Sequence, residues 1–199
     1  MRIFVALDLD EDVRRRIENF INEVRDLAPG ARWVNPESLH VTLKFIGEKP
    51  DSMVQQIEQT LASTKGRPIE LRYSETGFFP TPQSARAFWV GIHAGGGLAE
   101  LARKVEDGLE EIGISKEKRG FSPHLTLARA SGGSGAPGRH KGDKPNRVFA
   151  KLQEQLSKRS PIEFGTMTAR EFFLYRSQLS PKGSKYTKVA RFELSPPGE

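Results

Sequence analysis

Two phrases in this chain nearly coincide: His40-Val41-Thr42-Leu43 and His124-Leu125-Thr126-Leu127. They use two of only four histidines in 199 residues. Both lie in apolar runs that predict strands, and side chains alternate between the two faces of a strand. His and Thr, two apart, therefore share one face, and the apolar residues between and after them take the other. One such phrase reads most simply as a core strand with a polar edge; two in register do not. Two imidazoles in one site supply a general base and a general acid, and two hydroxyls supply donors to a developing oxyanion. That set suits in-line attack of water on a cyclic phosphodiester. One histidine takes a proton from water, the other gives one to the departing ribose oxygen, and Thr42 and Thr126 hold the non-bridging oxygens.

Other chemistries lack parts. The chain has no Cys, which excludes disulfides, thiolate metal sites and a thiol nucleophile. His40 and His124 have no third ligand at metal spacing, so no metal is expected. There is no Gly-x-Ser-x-Gly elbow for a serine hydrolase. A net charge of +6 leans toward a polyanionic partner, although 25 acidic residues are interspersed. The first residues turn acidic too soon for a signal peptide and no run reaches membrane-spanning length, so the expectation is a cytoplasmic protein that does not engage membranes.

The elements that must position the phrases follow from periodicity. Ile3, Val5 and Leu7 alternate as a strand. Asp10 stands where a helix cap would, before an apolar stripe of Val13, Ile17, Phe20, Ile21, Val24 and Leu27 that closes at Pro29-Gly30. A strand over 39–46, a helix over 51–64 and a strand around 69–73 follow, then a turn-rich stretch over 77–83. The second half restarts with a strand over 87–92 and a helix bearing Leu98, Leu101, Ala102, Val105, Leu109 and Ile112. After it come the second phrase, over 121–129, a helix over 146–158, and strands over 161–166, 169–176 and 185–194. The phrases are offset by 84 residues, and Phe4 precedes His40 by the same interval as Phe88 precedes His124. A duplicated unit is the economical explanation, with repeats over about 1–80 and 85–194 inside one domain spanning 1–199. The expected fold class is α+β: two pseudo-symmetric lobes, each a mostly antiparallel sheet with helices on its outer face, and a cleft between them. The Gly-rich stretch 131–145 predicts a flexible surface loop, more simply an insertion than a lid. A monomer is the simple expectation for such a closed fold.

On these residues the chain resembles the two-histidine (2H) phosphoesterases, in particular the LigT-like RNA 2′,3′-cyclic phosphodiesterases once described as 2′-5′ RNA ligases. The resemblance rests on Ile3-Phe4-Val5-Ala6-Leu7-Asp8-Leu9, on 39–48 and 121–129 around the two phrases, and on Phe173-Leu174-Tyr175-Arg176-Ser177 with Tyr186-Thr187. It implies hydrolysis of RNA 2′,3′-cyclic phosphate ends to 2′-phosphomonoesters, without cofactor or metal, on RNA ends or small cyclic nucleotides. His40 and His124 carry over as the proton-transfer pair, and Thr42 and Thr126 as phosphate donors. A near-symmetric sequence does not say which histidine is the base; the expectation adopted is His40 as donor and His124 as acceptor. Reversible 2′-5′ ligation or 2′-5′ phosphodiester cleavage on the same fold is the alternative. A non-catalytic RNA-binding module is the alternative from another class, and it has no need of paired proton-transfer groups.

Five further residues are weaker candidates for substrate binding. Arg129 matches the family's arginine after the second phrase, yet strict alternation turns it away from Thr126 unless the strand bulges. Lys44 shares the alternation face of His40 and Thr42, at the cleft rim. Phe45, Phe121 and Tyr186 are candidates for stacking on bases, with Phe4 and Phe88 as symmetry mates on the floor, although core packing explains all five aromatics more simply. Trp33 is expected in a loop as a packing anchor. His93 and His140 read as incidental.

Overall fold

The computed structural model describes residues 1–131, 146–180 and 183–195. It contains nine strands: β1 (Arg2–Leu7), β2 (Ala31–Trp33), β3 (Val41–Glu48), β4 (Ile69–Phe79), β5 (Ala87–His93), β6 (His124–Ala130), β7 (Glu163–Ala169), β8 (Glu171–Ser180) and β9 (Gly183–Glu193). Four helices join them: α1 (Glu11–Val24), α2 (Asp51–Ser63), α3 (Gly96–Glu111) and α4 (Ala150–Ser157). The strands form two sheets, β3-β1-β8-β9 and β2-β6-β5-β4-β7, in which every described pairing is antiparallel. The fold is α+β and two-lobed, as the periodicities require. Each sheet draws strands from both halves of the sequence. β2 and β4 join the second sheet, and the closing hairpin β8–β9 joins the first.

β1 is central and buried on both faces, which gives a near-continuous apolar run. Ile3, Val5 and Leu7 enter a large core shared by both sheets, together with Val13, Ile17, Phe20, Ile21 and Val24 of α1 and Leu98, Leu101 and Val105 of α3. Phe4 and Ala6 face the other way into a small cluster with Phe173, Tyr175 and Tyr186. That second cluster floors the cleft beside β3. Asp10 occupies the N-cap of α1 in extended conformation but makes no side-chain cap bond.

Of the boundaries that differ from expectation, three bear on the site and its supports. Residues 31–33 form a short strand on β6, since Ala31 and Trp33 can pack on the core while Arg32 points outward. β4 runs on through Gly77 to Phe79 because Gly77 seats a neighbour: a Cβ there would lie 2.1 Å from the indole of Trp89. The helix expected from 146 begins at Ala150, with Phe149 buried before it. Of the Gly-rich stretch 131–145, all but Ser131 lies outside the described residues, His140 included. Among the described residues no helix is long and apolar enough to cross a membrane.

Candidate active site

Each histidine stands at the start of its strand, and its ring is held by the backbone two residues earlier. His40 Nδ1 lies 2.7 Å from the Ser38 carbonyl, and His124 Nδ1 lies 2.8 Å from the Ser122 carbonyl. A carbonyl can only accept, so both rings carry hydrogen on Nδ1 and leave Nε2 to do chemistry. The bond survives in either protonation state, which suits a group that must cycle between them. The signal was present in the sequence as a third shared position: Ser-x-His-x-Thr occurs at Ser38 and at Ser122.

After each threonine the strand bulges, in the same place. Across β1–β3, Ala6 faces Thr42 but Val5 faces Lys44, so Leu43 is the extra residue. Across β5–β6, Trp89 faces Thr126 but Phe88 faces Ala128, so Leu127 is the extra residue. A bulge shifts the alternation by one. Leu43 and Lys44 are both buried, as are Leu127 and Ala128, and the next residues, Phe45 and Arg129, emerge on the side of His and Thr. Phe45 and Arg129 are therefore equivalent positions, and strict alternation misplaced both arms. Arg129 reaches the cleft. Lys44 turns away from the histidine side and is only 2% exposed. Its ammonium donates to Glu106 Oε1 on α3 at 2.9 Å and to the Ser115 carbonyl at 2.8 Å.

The bulges also correct the symmetry. The residues facing the bulged stretches match as Val5 with Phe88 and Ala6 with Trp89, one residue off the Phe4–Phe88 equivalence. Phe4 lies under His40, with ring centroids 4.6 Å apart. Phe88 instead faces the core and contacts Trp33, Phe78 and Phe149. His124 takes its aromatic neighbour from β4, where Phe79 meets it edge-on at 5.2 Å and also contacts Trp89. Neither Phe79 nor Trp89 was foreseen. His93 lies on the surface near Glu75.

All nine expected site residues border one cavity of about 580 Å³: His40, Thr42, Lys44, Phe45, Phe121, His124, Thr126, Arg129 and Tyr186. Arg103 of α3 and Arg119 border it too and escaped sequence reasoning, because nothing local marks a surface arginine as cleft-facing. Tyr186 meets the His40 ring edge-on at 5.0 Å. Phe45 is 51% exposed, which leaves its ring free to cover an apolar partner.

The surroundings of His40 act on its ring electrostatically. Burial holds His40 below the ordinary imidazole range, with the charge of Arg14 adding to the effect. The Ser38 carbonyl and the charge of Asp8 act in opposition. Buried Arg14 donates to Asp8 at 2.6 Å and to the Pro36 carbonyl at 2.7 Å, which pins the turn leading to His40. Lys188 donates to the other Asp8 oxygen at 2.6 Å. Burial alone would raise the Asp8 carboxyl, but its bonds to Lys188 and the Leu9 amide and the two nearby cations hold it below the usual range. Among the described residues no group of three or more His, Cys, Asp or Glu is placed to hold a metal ion.

Comparison with known proteins gives this geometry a family. The model of the LigT-like phosphoesterases matches residues 7–89 and 90–186, with one His-x-Thr phrase in each stretch. The RNA 2′,3′-cyclic phosphodiesterase of Archaeoglobus fulgidus is 33% identical over 193 residues, covering 97% of this chain and 100% of that protein. Its counterpart from Methanothermobacter thermautotrophicus is 32% identical over 98% of this chain and 99% of that protein. Among solved structures, TT0787 of Thermus thermophilus covers 100% of both chains with a TM-score of 0.76 at 30% identity. E. coli LigT, crystallised with 3′-AMP, covers 98% of both with a TM-score of 0.74 at 23% identity, a likeness of fold. With two phrases, two matched stretches and relatives aligned along their whole length, the chain belongs to the LigT-like phosphoesterase family.

Proposed function

We propose that this protein is an RNA 2′,3′-cyclic phosphodiesterase that opens the cyclic phosphate to a 2′-phosphomonoester through paired histidine acid–base catalysis, without a metal. One observation carries the reading: two imidazoles, each with Nδ1 clamped by a backbone carbonyl, border one cavity with two threonines and an arginine. Full-length relatives that bear the name of this activity support it.

The phosphate sits between the arms. His124 Nε2 takes a proton from water as the water oxygen bonds to phosphorus. The bond from phosphorus to O3′ breaks on the far side, and His40 Nε2 gives O3′ its proton. Thr42, Thr126 and Arg129 hold the non-bridging oxygens as charge accumulates on them. Burial lowers the His40 pKa, and the negative charge of a bound phosphate opposes that shift by favouring the protonated ring.

The test is an RNA ending in 2′,3′-cyclic phosphate, incubated in EDTA, with the product phosphate located by NMR. A 2′-phosphomonoester is expected. A joined 2′-5′ linkage would favour ligation, and binding without turnover would favour a clamp.

A further inference from the structure

Arg32 and Arg129 face each other directly across the β2–β6 pair. Ala31 and Trp33, its neighbours on β2, pack on the core, so Arg32 projects from the opposite face, which is the cleft face that carries Arg129 and Thr126. Two guanidinium stems thus rise side by side, with Cβ atoms about 5 Å apart for directly opposed positions. Both residues are exposed, and among the described residues neither makes an ion pair with a carboxylate. Like charges directly opposed on a sheet destabilise it, so the folded chain carries a cost here that a bound anion removes. Arg129 borders the histidine cavity, whereas Arg32 lies one strand further out and does not line it. One strand spacing plus the length of an arginine is a reach suited to a second phosphate along the same nucleic-acid strand.

We propose that Arg32 binds the phosphodiester immediately upstream of the reacting cyclic phosphate, so that the preferred substrate is an RNA strand and not a nucleoside 2′,3′-cyclic phosphate. This rests on the hydrolase reading above and names its substrate more narrowly. The terminal phosphate is held by the threonines and Arg129, and the next phosphate back runs over β2. Arg32 contributes to binding and takes no part in the proton transfers.

The experiment compares Arg32→Ala with the parent on two substrates, adenosine 2′,3′-cyclic phosphate and a trinucleotide ending in the same group, each at two salt concentrations. On the trinucleotide, kcat/KM should fall roughly 5- to 10-fold, mostly through KM, as for the loss of one charge-assisted contact. The salt slope for the trinucleotide should drop by about one contact. On the mononucleotide nothing should change. Thermal unfolding should move upward or stay level, because a repulsion is relieved. An equal loss on both substrates would place Arg32 at the reacting phosphate and overturn the proposal; so would no loss on either, which would leave an unliganded charge pair. If the parent turns over neither substrate, the hydrolase reading itself fails, and trinucleotide binding by parent and Arg32→Ala, measured by fluorescence anisotropy, still decides the subsite.

Discussion

The two histidine arms share a backbone and differ in everything that surrounds it. Both have a serine carbonyl on Nδ1, a threonine two residues on, and a bulge at the following leucine. Around His40 the turn is pinned by Arg14 and by the Asn35 side chain accepting from the Glu37 amide, and Phe4 and Tyr186 flank the ring. Around His124 the approach is a segment, 118–123, in which, among the described residues, the only hydrogen bond is the one that His124 Nδ1–H donates to the Ser122 carbonyl. Its upstream end is tethered where the Glu117 amide and buried Lys44 both donate to Glu106. At the position after the bulge, one arm offers Phe45 and the other Arg129. The difference points to a division of labour: an apolar, tightly built arm for the nucleoside, and a charged, more open arm for the phosphate.

The largest effect should come from what the arms share. His40→Ala and His124→Ala should each lower turnover by roughly 10²- to 10⁴-fold, as for general acid–base groups. The double variant should fall little below either single, because both groups serve one step. A single variant near full rate in a steady-state assay would end the paired mechanism.

Next in size is the position where the arms diverge. Arg129→Ala removes a charge-assisted donor worth about 1.5–3 kcal/mol, so kcat should fall roughly 10- to 100-fold. Phe45→Ala removes a stacking surface of about 1–3 kcal/mol per base, and that loss should appear in KM. Equal splits between kcat and KM in both variants would dissolve the division of labour.

The tether makes the second arm depend on the first, because Lys44 lies two residues beyond Thr42 yet holds the segment that leads to His124. A buried ammonium is costly unless paired, whereas the exposed pairs of Lys116 with Asp107 and Glu110 are worth little. Lys44→Met and Glu106→Ala should each reduce kcat/KM by roughly 10-fold, since small displacements near the chemistry cost that much or more. Amide exchange over 117–123 should quicken in both. If Glu106→Ala keeps full activity and Lys44→Met does not, Lys44 touches substrate directly.

These contrasts mark the limit of what alternation reveals. The two phrases, the core stripes of α1 and α3 and the duplicated order of elements were legible because each is a local period. The bulges were not, because an extra residue in a strand leaves the apolar pattern intact and shows only against its partner. Leu43-Lys44 and Leu127-Ala128 read as ordinary alternation until Val5 and Phe88 are seen opposite them. That single shift accounts for Lys44, Arg129 and the misplaced symmetry of Phe88. The exchange of β4 and β8–β9 between sheets was hidden for a related reason: a strand's period says which face is buried, never which neighbour it pairs with.

The smallest expected effect is read at His40. His40 is held below the ordinary imidazole value of 6.5 by burial. Its folded value is therefore lower than its unfolded one. As pH falls through about 6.5 the unfolded chain takes up a proton before the folded chain does, and stability declines toward the folded value; above that range His40 contributes no pH dependence. An NMR titration of the imidazole Hε1 signals should place the His40 midpoint below 6.5 in the free protein. A nucleoside 2′-monophosphate should move it upward, since the bound anion favours the charged ring. Asp8→Asn removes a charge that supports protonated His40, so it should lower the midpoint further and weaken the response to the ligand. A His40 midpoint that ignores both the ligand and Asp8 would leave the proton donor without a source of its proton, and the assignment of acid and base to the two arms would have to be reversed.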